Sequence, residues 1–242
     1  MERRGDVTVV TLDRPPANAL DPALLTAGAE VVQDLLADPP GAVVLTGSGA
    51  FFSGGADLRV VPDLSPEDQA ALTRTFNAMF AGWYHLPRPV VAAVNGHAVA
   101  GGLVLALCSD HRIVGQSGRF GLTEVKVGIP FPSVAMAIVQ GELTAPVVRR
   151  LVFGAQLFDS RTAMELDLFD ELVDDDRVLD RAIEVAEDLA ALPRSTYEIV
   201  KKRLRMDALD RGRGQLGGAD AAGAATANAL GAARKVLDSR EE

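Results

Sequence analysis

This chain of 242 residues predicts an α/β fold with a largely parallel sheet, followed by a helical C-terminal region. Three observations carry the prediction. Over the first half, short β-type runs alternate with helix-period runs, the order that lays parallel strands side by side with helices on their faces. From Val134 onward the β-type runs give way to helical ones. The chain is also 48% hydrophobic and 24% charged, which is too apolar for a disordered polymer and suits one domain with at most a small appendage.

The elements follow in order. Val7 to Leu12 reads as a strand, stopped at Arg14-Pro15-Pro16. Asp21 to Leu36 carries a helical apolar stripe, with Asp21 as N-cap and Pro22 in the first turn. Ala42 to Thr46 is a buried-type strand ending at Gly47, and a Gly-rich loop runs from Ser48 to Gly55. A second helix opens at Ser65-Pro66 and runs to about Tyr84. Val90 to Val94 is a third strand, Asn95-Gly96 a turn, Gly101 to Cys108 a short buried helix and His111 to Val114 a fourth strand. Beyond Val134, helices are expected at Thr144–Phe153, at Ser160–Leu166 with Ser160 as N-cap, at Asp176–Leu192 and at Ser195–Leu209. Gln215 to Leu237 is rich in Ala and Gly and reads as a closely packed last helix or a frayed tail. A boundary near Leu192-Pro193 divides residues 1–190, the core, from residues 191–242, the C-terminal region.

Composition excludes several classes of function. The formal net charge is −9, which argues against a general nucleic-acid binder. Cys108 is the single cysteine, so the chain has no internal disulfide and no cysteine-rich zinc site. His85, His97 and His111 show no metal-ligand spacing, so no metal is expected. No apolar run approaches the roughly 18 residues of a membrane span, and Met1 to Asp6 does not read as a signal peptide. A soluble cytoplasmic protein with no membrane partner is the expectation.

Three Gly-rich segments are the candidates for chemistry: Phe51 to Leu58, Asn95 to Gly102, and Gly121 to Pro130. The first two follow strands and place small residues where the backbone must turn sharply or be approached closely. Gly101 and Gly102 open an apolar helical run, where N–H groups lack intrahelical partners. Two such loops on adjacent strands can aim two N–H groups at one oxygen, which is an oxyanion hole. The same glycines also serve as ordinary turn residues, and neither segment is a dinucleotide fingerprint or a P-loop.

Taken together, the segments resemble the crotonase superfamily, the enoyl-CoA hydratases and isomerases. The resemblance rests on Val7 to Leu20, Val44 to Gly47, Phe52-Ser53-Gly54-Gly55-Ala56-Asp57-Leu58, and Ala93 to Gly102. It continues through Asp110 to Ile113, Phe120 to Glu124 with Gly128-Ile129-Pro130, and Leu166 to Val173, all in the family's order. It implies repeated ββα units with a C-terminal helical region assembling a homotrimer or a dimer of trimers. It implies an acyl-CoA thioester as substrate, with coenzyme A part of that substrate and no separate cofactor. By motif position, the N–H groups of Ala56 and Gly101 would hold the thioester oxygen. Ala17, Ala19, Ser53, Gly54, Gly55, Asp57, Leu58 and Arg59 would line the coenzyme A groove. Arg14 and Arg59 are nearby cations for its phosphates. The cluster Lys201, Lys202, Arg203 and Arg205 either serves a neighbouring subunit's site or is a solvated helix face.

The acid–base pattern is selective within the resemblance. Hydratases of the family use two glutamates, one after the second Gly-rich segment and one in the third. Here the first position is Val104 and the second is Glu124. A valine transfers no proton, whereas one carboxylate suffices to take a proton from one carbon and return it two carbons away. The pattern therefore resembles the single-glutamate Δ3,Δ2-enoyl-CoA isomerases. Phe120, Val104 and Phe131 are expected to surround Glu124 and raise its pKa by desolvation, and Phe131-Pro132 to shape the acyl pocket. A hydratase-like enzyme of low hydration activity and a non-catalytic acyl-CoA binder are the alternatives. Asp167 stands where many members have glycine, at a helix cap, and Cys108 reads as core.

Overall fold

The computed structural model describes residues 1–59 and 64–214. Its nine strands are β1 (Glu2–Arg4), β2 (Val7–Leu12), β3 (Ala42–Gly47), β4 (Phe51–Ser53), β5 (Val90–Val94), β6 (His97–Val99), β7 (His111–Gly115), β8 (Phe120–Gly121) and β9 (Glu171–Val173). Its helices are α1 (Pro22–Ala37), α2 (Pro66–His85), α3 (Gly101–Leu107), α4 (Ser133–Glu142), α5 (Ala145–Gly154), α6 (Ser160–Glu165), α7 (Val178–Ala190) and α8 (Arg194–Gly214).

A six-stranded sheet in the order β1-β2-β3-β5-β7-β9 forms the frame, and a three-stranded sheet β4-β6-β8 lies beside it. Every pairing is parallel except β1 with β2. The period-two alternation of a strand explains how one sheet serves two cores. Val43 and Leu45 point into the larger core, shared with α1 to α4, while Val44 points to the opposite face, which α7 covers with Val178, Ala182 and Ala186. The mixed α/β architecture and its parallel sheet are those the sequence predicts, and the small second sheet completes the strand pairs that the resemblance implies.

Helix starts follow local chemistry. Asp21 caps α1 by accepting from Leu24 N at 2.8 Å, and the Ser65 hydroxyl accepts from Asp68 N at 3.1 Å to cap α2. At α6 the expected cap is corrected: Asp159, not Ser160, accepts from Thr162 N, and the Ser160 hydroxyl donates to Gly115 O at 2.7 Å. Asp167 takes a left-handed φ of 55° just past α6, the conformation for which glycine is favoured. Cys108 is buried, and its Sγ–H lies 3.3 Å from Val104 O.

The strongest departure from expectation is α8. Lys201 and Arg205 are both 6% exposed. Asp110 binds both, Lys201 Nζ at 2.6 Å and Arg205 Nη2 at 2.9 Å, while Arg205 also donates to the carbonyls of Tyr84, Cys108 and Ser109. These two cations fasten α8 to the core, so they form no solvated face; Lys202 and Arg203 are exposed. The expected Ala/Gly-rich helix from Gln215 to Leu237 lies outside the described residues. Among the described residues, no helix is long and apolar enough to cross a membrane.

Candidate active site

A cavity of about 210 Å³ opens between α2, α3, the β4–Leu58 loop and the segment Thr123–Pro132. Seven of the expected site residues line it: Gly54, Ala56, Leu58, Gly101, Val104, Glu124 and Phe131. A larger cavity of about 620 Å³ lies between α1, α2 and α8; Lys201, Lys202 and Arg205 of the basic cluster line it, and no residue of the three Gly-rich segments does. Chemistry, rather than size, identifies the smaller one as the candidate site.

The two backbone donors are set by hydrogen bonds around them. Leu20 and Ala56 form an isolated parallel bridge, in which Leu20 N donates to Gly55 O at 2.8 Å and Asp57 N donates to Leu20 O at 3.4 Å. In such a bridge the bonds flank Ala56 and turn its own N–H away from Leu20, and Ala56 lines the cavity. Gly101 is the first residue of α3, so its N–H has no acceptor a turn earlier. Neither N–H is engaged by another described residue. Ala100 precedes Gly101 with a φ of 52° and ψ of −126°, a conformation that costs a non-glycine residue on the order of 1–3 kcal/mol. Its N–H is held by Gly121 O at 2.8 Å.

The two loops touch through glycines. A Cβ on Gly55, whose φ is +79°, would stand 2.7 Å from Val99 O and 3.0 Å from Gly101 N. A Cβ on Gly102 would stand 2.1 Å from Ser53 O. These positions admit no side chain, which is the physical need behind both glycine runs.

Glu124 is the one ionisable side chain among the described residues that line the cavity. It is 8% exposed, and its Oε2 is buried without a hydrogen-bond partner. Burial pushes its pKa up to about 7, against the pull of the backbone amides of Thr123 and Glu124. The residue opens a 3-10 turn over Val125–Val127, closed by Gly128 at φ 72°, and its carbonyl accepts from Ile129 N at 2.9 Å. Val104, fully buried, lies one turn beyond Gly101 on α3 and presents hydrocarbon to the same space. Phe120, expected beside Glu124, packs edge-on against Phe169 instead and lines no part of the cavity.

The remaining expected residues build the wall from behind. Ser53 is fully buried; its hydroxyl donates to Asn18 O at 2.8 Å and accepts from Gly55 N at 3.2 Å. Ala17 accepts from Gly54 N at 2.8 Å through its carbonyl, and Ala19 is half-buried on the same loop. Asp57 is 4% exposed and takes both Arg59, at 3.0 Å, and Arg14, at 3.5 Å. Arg59, with Arg14 also the partner of Asp21 at 2.7 Å, holds Asp57 well below the usual carboxylate range. Ser53, Gly55 and Asp57 thus line no part of the 210 Å³ cavity, and backbone bonds and ion pairs occupy them. His97 stacks on Phe51 at 4.6 Å, and His111 pairs with Glu171 at 3.2 Å, both outside the cavity.

Sequence reasoning passed over the α2 wall. Gln69, Leu72, Thr73, Phe76 and Phe80 face the cavity, a stripe at helical spacing that reads equally well as plain core.

The family profile described as enoyl-CoA hydratase/isomerase matches residues 2–223. A putative enoyl-CoA hydratase of Thermus thermophilus is 36% identical over 208 residues, 83% of this chain and 81% of its own. A carnitinyl-CoA dehydratase of Escherichia coli is 32% identical over 198 residues, 78% of this chain and 73% of its own. The solved structure of an enoyl-CoA isomerase from Mycobacterium tuberculosis superposes with a TM-score of 0.85 at 31% identity, covering 91% of this chain and 96% of that one. Human mitochondrial Δ3-Δ2-enoyl-CoA isomerase superposes with a TM-score of 0.92 over 98% of this chain and 94% of its own, and at 23% identity it speaks to fold alone.

Proposed function

We propose that this chain, which belongs to the enoyl-CoA hydratase/isomerase family, moves the double bond of a 3-enoyl-CoA to the 2-position. The observation that carries the proposal is the lone carboxylate. Glu124 lines the cavity where Val104 occupies the place of a second acid. Hydration needs one group to orient water and another to deliver a proton, whereas a double-bond shift needs a single group acting twice.

In this reading one carboxylate acts twice. The thioester oxygen sits between the N–H groups of Ala56 and Gly101. Glu124 Oε2 takes a proton from C2, and the electron pair of that C–H bond spreads over a dienolate whose charge gathers on the oxygen. The two fixed donors stabilise that developing charge more than the neutral thioester, which is how they lower the barrier. Glu124 then returns the proton to C4, leaving the double bond between C2 and C3 in conjugation with the carbonyl. No atom is gained or lost, no separate cofactor is needed, and coenzyme A enters as part of the substrate. A carboxyl titrating at about 7 is balanced between accepting and returning a proton at neutral pH.

Hydratase-like chemistry is the second reading, favoured by the names of the Thermus and Escherichia relatives. Incubation with 3-enoyl- and 2-enoyl-CoA of several lengths, with products resolved by mass, separates the two. Isomerisation is expected to outrun hydration. Hydration at ordinary enzyme turnover, about 1–10³ s⁻¹, would overturn the isomerase reading. Tight acyl-CoA binding with no turnover of any thioester would make the protein a binder.

A further inference from the structure

We propose that Ser53, backed by Asn18, is a positioning residue that aims the Ala56 and Gly101 donors at a common oxygen; the inference rests on the oxyanion-hole reading above. Ser53 touches no open space. It is 0% exposed, and its hydroxyl spends its donor on Asn18 O at 2.8 Å and accepts from Gly55 N at 3.2 Å. Burying a hydroxyl is costly unless it is bonded, and this one is bonded only to backbone, on the two strands of chain that bracket Ala56.

Asn18 supplies the anchor. It is also 0% exposed and holds a left-handed φ of 48°. Its Nδ2 donates to Ser48 O at 3.0 Å, Phe51 O at 2.7 Å and Phe52 O at 3.3 Å. Its Oδ1 accepts from Arg14 N at 2.9 Å and from the Ser48 hydroxyl at 3.3 Å. One amide thus ties the loop before Leu20 to the carbonyls leading into Ser53. The zip continues through Gly54 N to Ala17 O and Leu20 N to Gly55 O, both 2.8 Å. Each peptide group between Phe51 and Ala56 is fixed before Ala56 presents its N–H.

Ser53 also meets the second donor loop. Its carbonyl and Cβ lie where a Cβ on Gly102 would stand 2.1 and 2.9 Å away, so the start of α3 rests directly on it. The two sides differ in kind: the Ser53 hydroxyl acts through Gly55 toward Ala56, whereas the contact with Gly102 is made by the carbonyl and Cβ of Ser53, which Ser53→Ala keeps, so that variant isolates the hydroxyl's part. Misplacing catalytic groups by about 1 Å costs up to roughly 10²-fold in rate, which makes this contact a lever on turnover rather than on affinity.

The test uses the full chain and a chromophoric probe, 2,4-hexadienoyl-CoA, whose absorption moves to the red when its carbonyl is polarised. Wild type is expected to shift the bound probe. Ser53→Ala should reduce that shift and lower kcat by about 10–10²-fold while leaving the dissociation constant of the probe within about twofold. Ser53→Cys, nearly the same size with a weaker donor, should fall between and keeps the test open if the alanine variant does not fold. A Ser53→Ala protein, or Ser53→Cys if only that folds, with wild-type red shift and wild-type kcat overturns the positioning role, whatever its melting temperature. A wild type that binds the probe without any red shift instead overturns the oxyanion hole itself, and the inference with it.

Discussion

Gly55 and Gly101 stand so close that a single methyl group on the first would reach within 3.0 Å of the backbone nitrogen of the second. The two residues come from different loops, one following β4 and one opening α3, and no side chain separates them. This contact holds the two donor-bearing loops against each other, and the proposed enolate stabilisation depends on how they are spaced.

Gly55→Ala tests that distance. The added Cβ meets Val99 O at 2.7 Å and must hold a φ of +79°, a conformation costly to alanine. Turnover is expected to fall about 10²–10³-fold, the cost of losing one oxyanion donor. Gly154→Ala, with nothing within 4 Å of its Cβ, should leave both turnover and melting temperature near wild type. Equal activities for the two variants would show that the glycine contact does not govern the donors.

Arg205→Ala tests the fastening of α8. The substitution strands the carbonyls of Tyr84, Cys108 and Ser109 and removes one of the two cations paired with Asp110. Breaking a buried charged network typically costs about 3–5 kcal/mol. Urea unfolding should show a loss of that order, whereas Arg203→Ala, on the exposed side, should show almost none. A loss below about 1 kcal/mol for Arg205→Ala, the range of surface ion pairs, would mean that α8 is held by apolar packing instead.

These particulars also show what a sequence discloses. The strands Val7–Leu12, Ala42–Gly47 and Val90–Val94 were legible because each is buried over most of its length and rich in β-branched residues, and Val90–Val94 is an unbroken apolar run. Strands β4, β6 and β8 were not, since two or three residues carry no period. Glu124 and Val104 could be singled out because motif order supplied the comparison. Lys201 and Arg205 were misread for a definite reason: they share the buried face of α8 with Ala208, Leu209 and Gly212, and charges in that stripe mask its periodicity. Their partner, Asp110, lies 91 residues before Lys201 in sequence and farther still from Arg205, a distance over which local pattern says nothing. Ser53 and Asn18 were visible as motif residues, but their burial and their hydrogen bonds to backbone are written only in three dimensions.

Phe131→Ala concerns substrate length. Phe131 shares the cavity wall with Phe76 and Phe80, so its removal lengthens the space open to an acyl chain. A pocket worth about one methylene discriminates by roughly 10-fold or more. The ratio of kcat/KM for a 3-enoyl-CoA two carbons beyond the wild-type optimum to that at the optimum should rise by about that factor. An unchanged chain-length profile would place the acyl tail along another wall.

Glu124→Gln bears on both catalysis and stability, and the two effects oppose each other. As the proposed base, Glu124 must start as carboxylate, so wild-type kcat/KM should climb with pH and level off above about 7. The glutamine variant should be about 10²–10⁴-fold slower and lack that rise. For stability, the folded pKa of about 7 lies above the ordinary 4.5. Below 4.5 both states hold the proton and no penalty applies. Between 4.5 and about 7 the unfolded chain releases it first, so the folded state loses ground as pH rises, by roughly 3 kcal/mol in all. Glutamine carries no charge to bury. Its variant should therefore be more stable than wild type at pH 8, and the gap should close as the pH falls toward 4.5. Thermal unfolding of both proteins across that range measures it. A variant that is slower but no more stable at pH 8 would mean that Glu124 is solvated or paired in the folded protein. One that is more stable but equally fast would keep the buried carboxyl and remove it from the reaction.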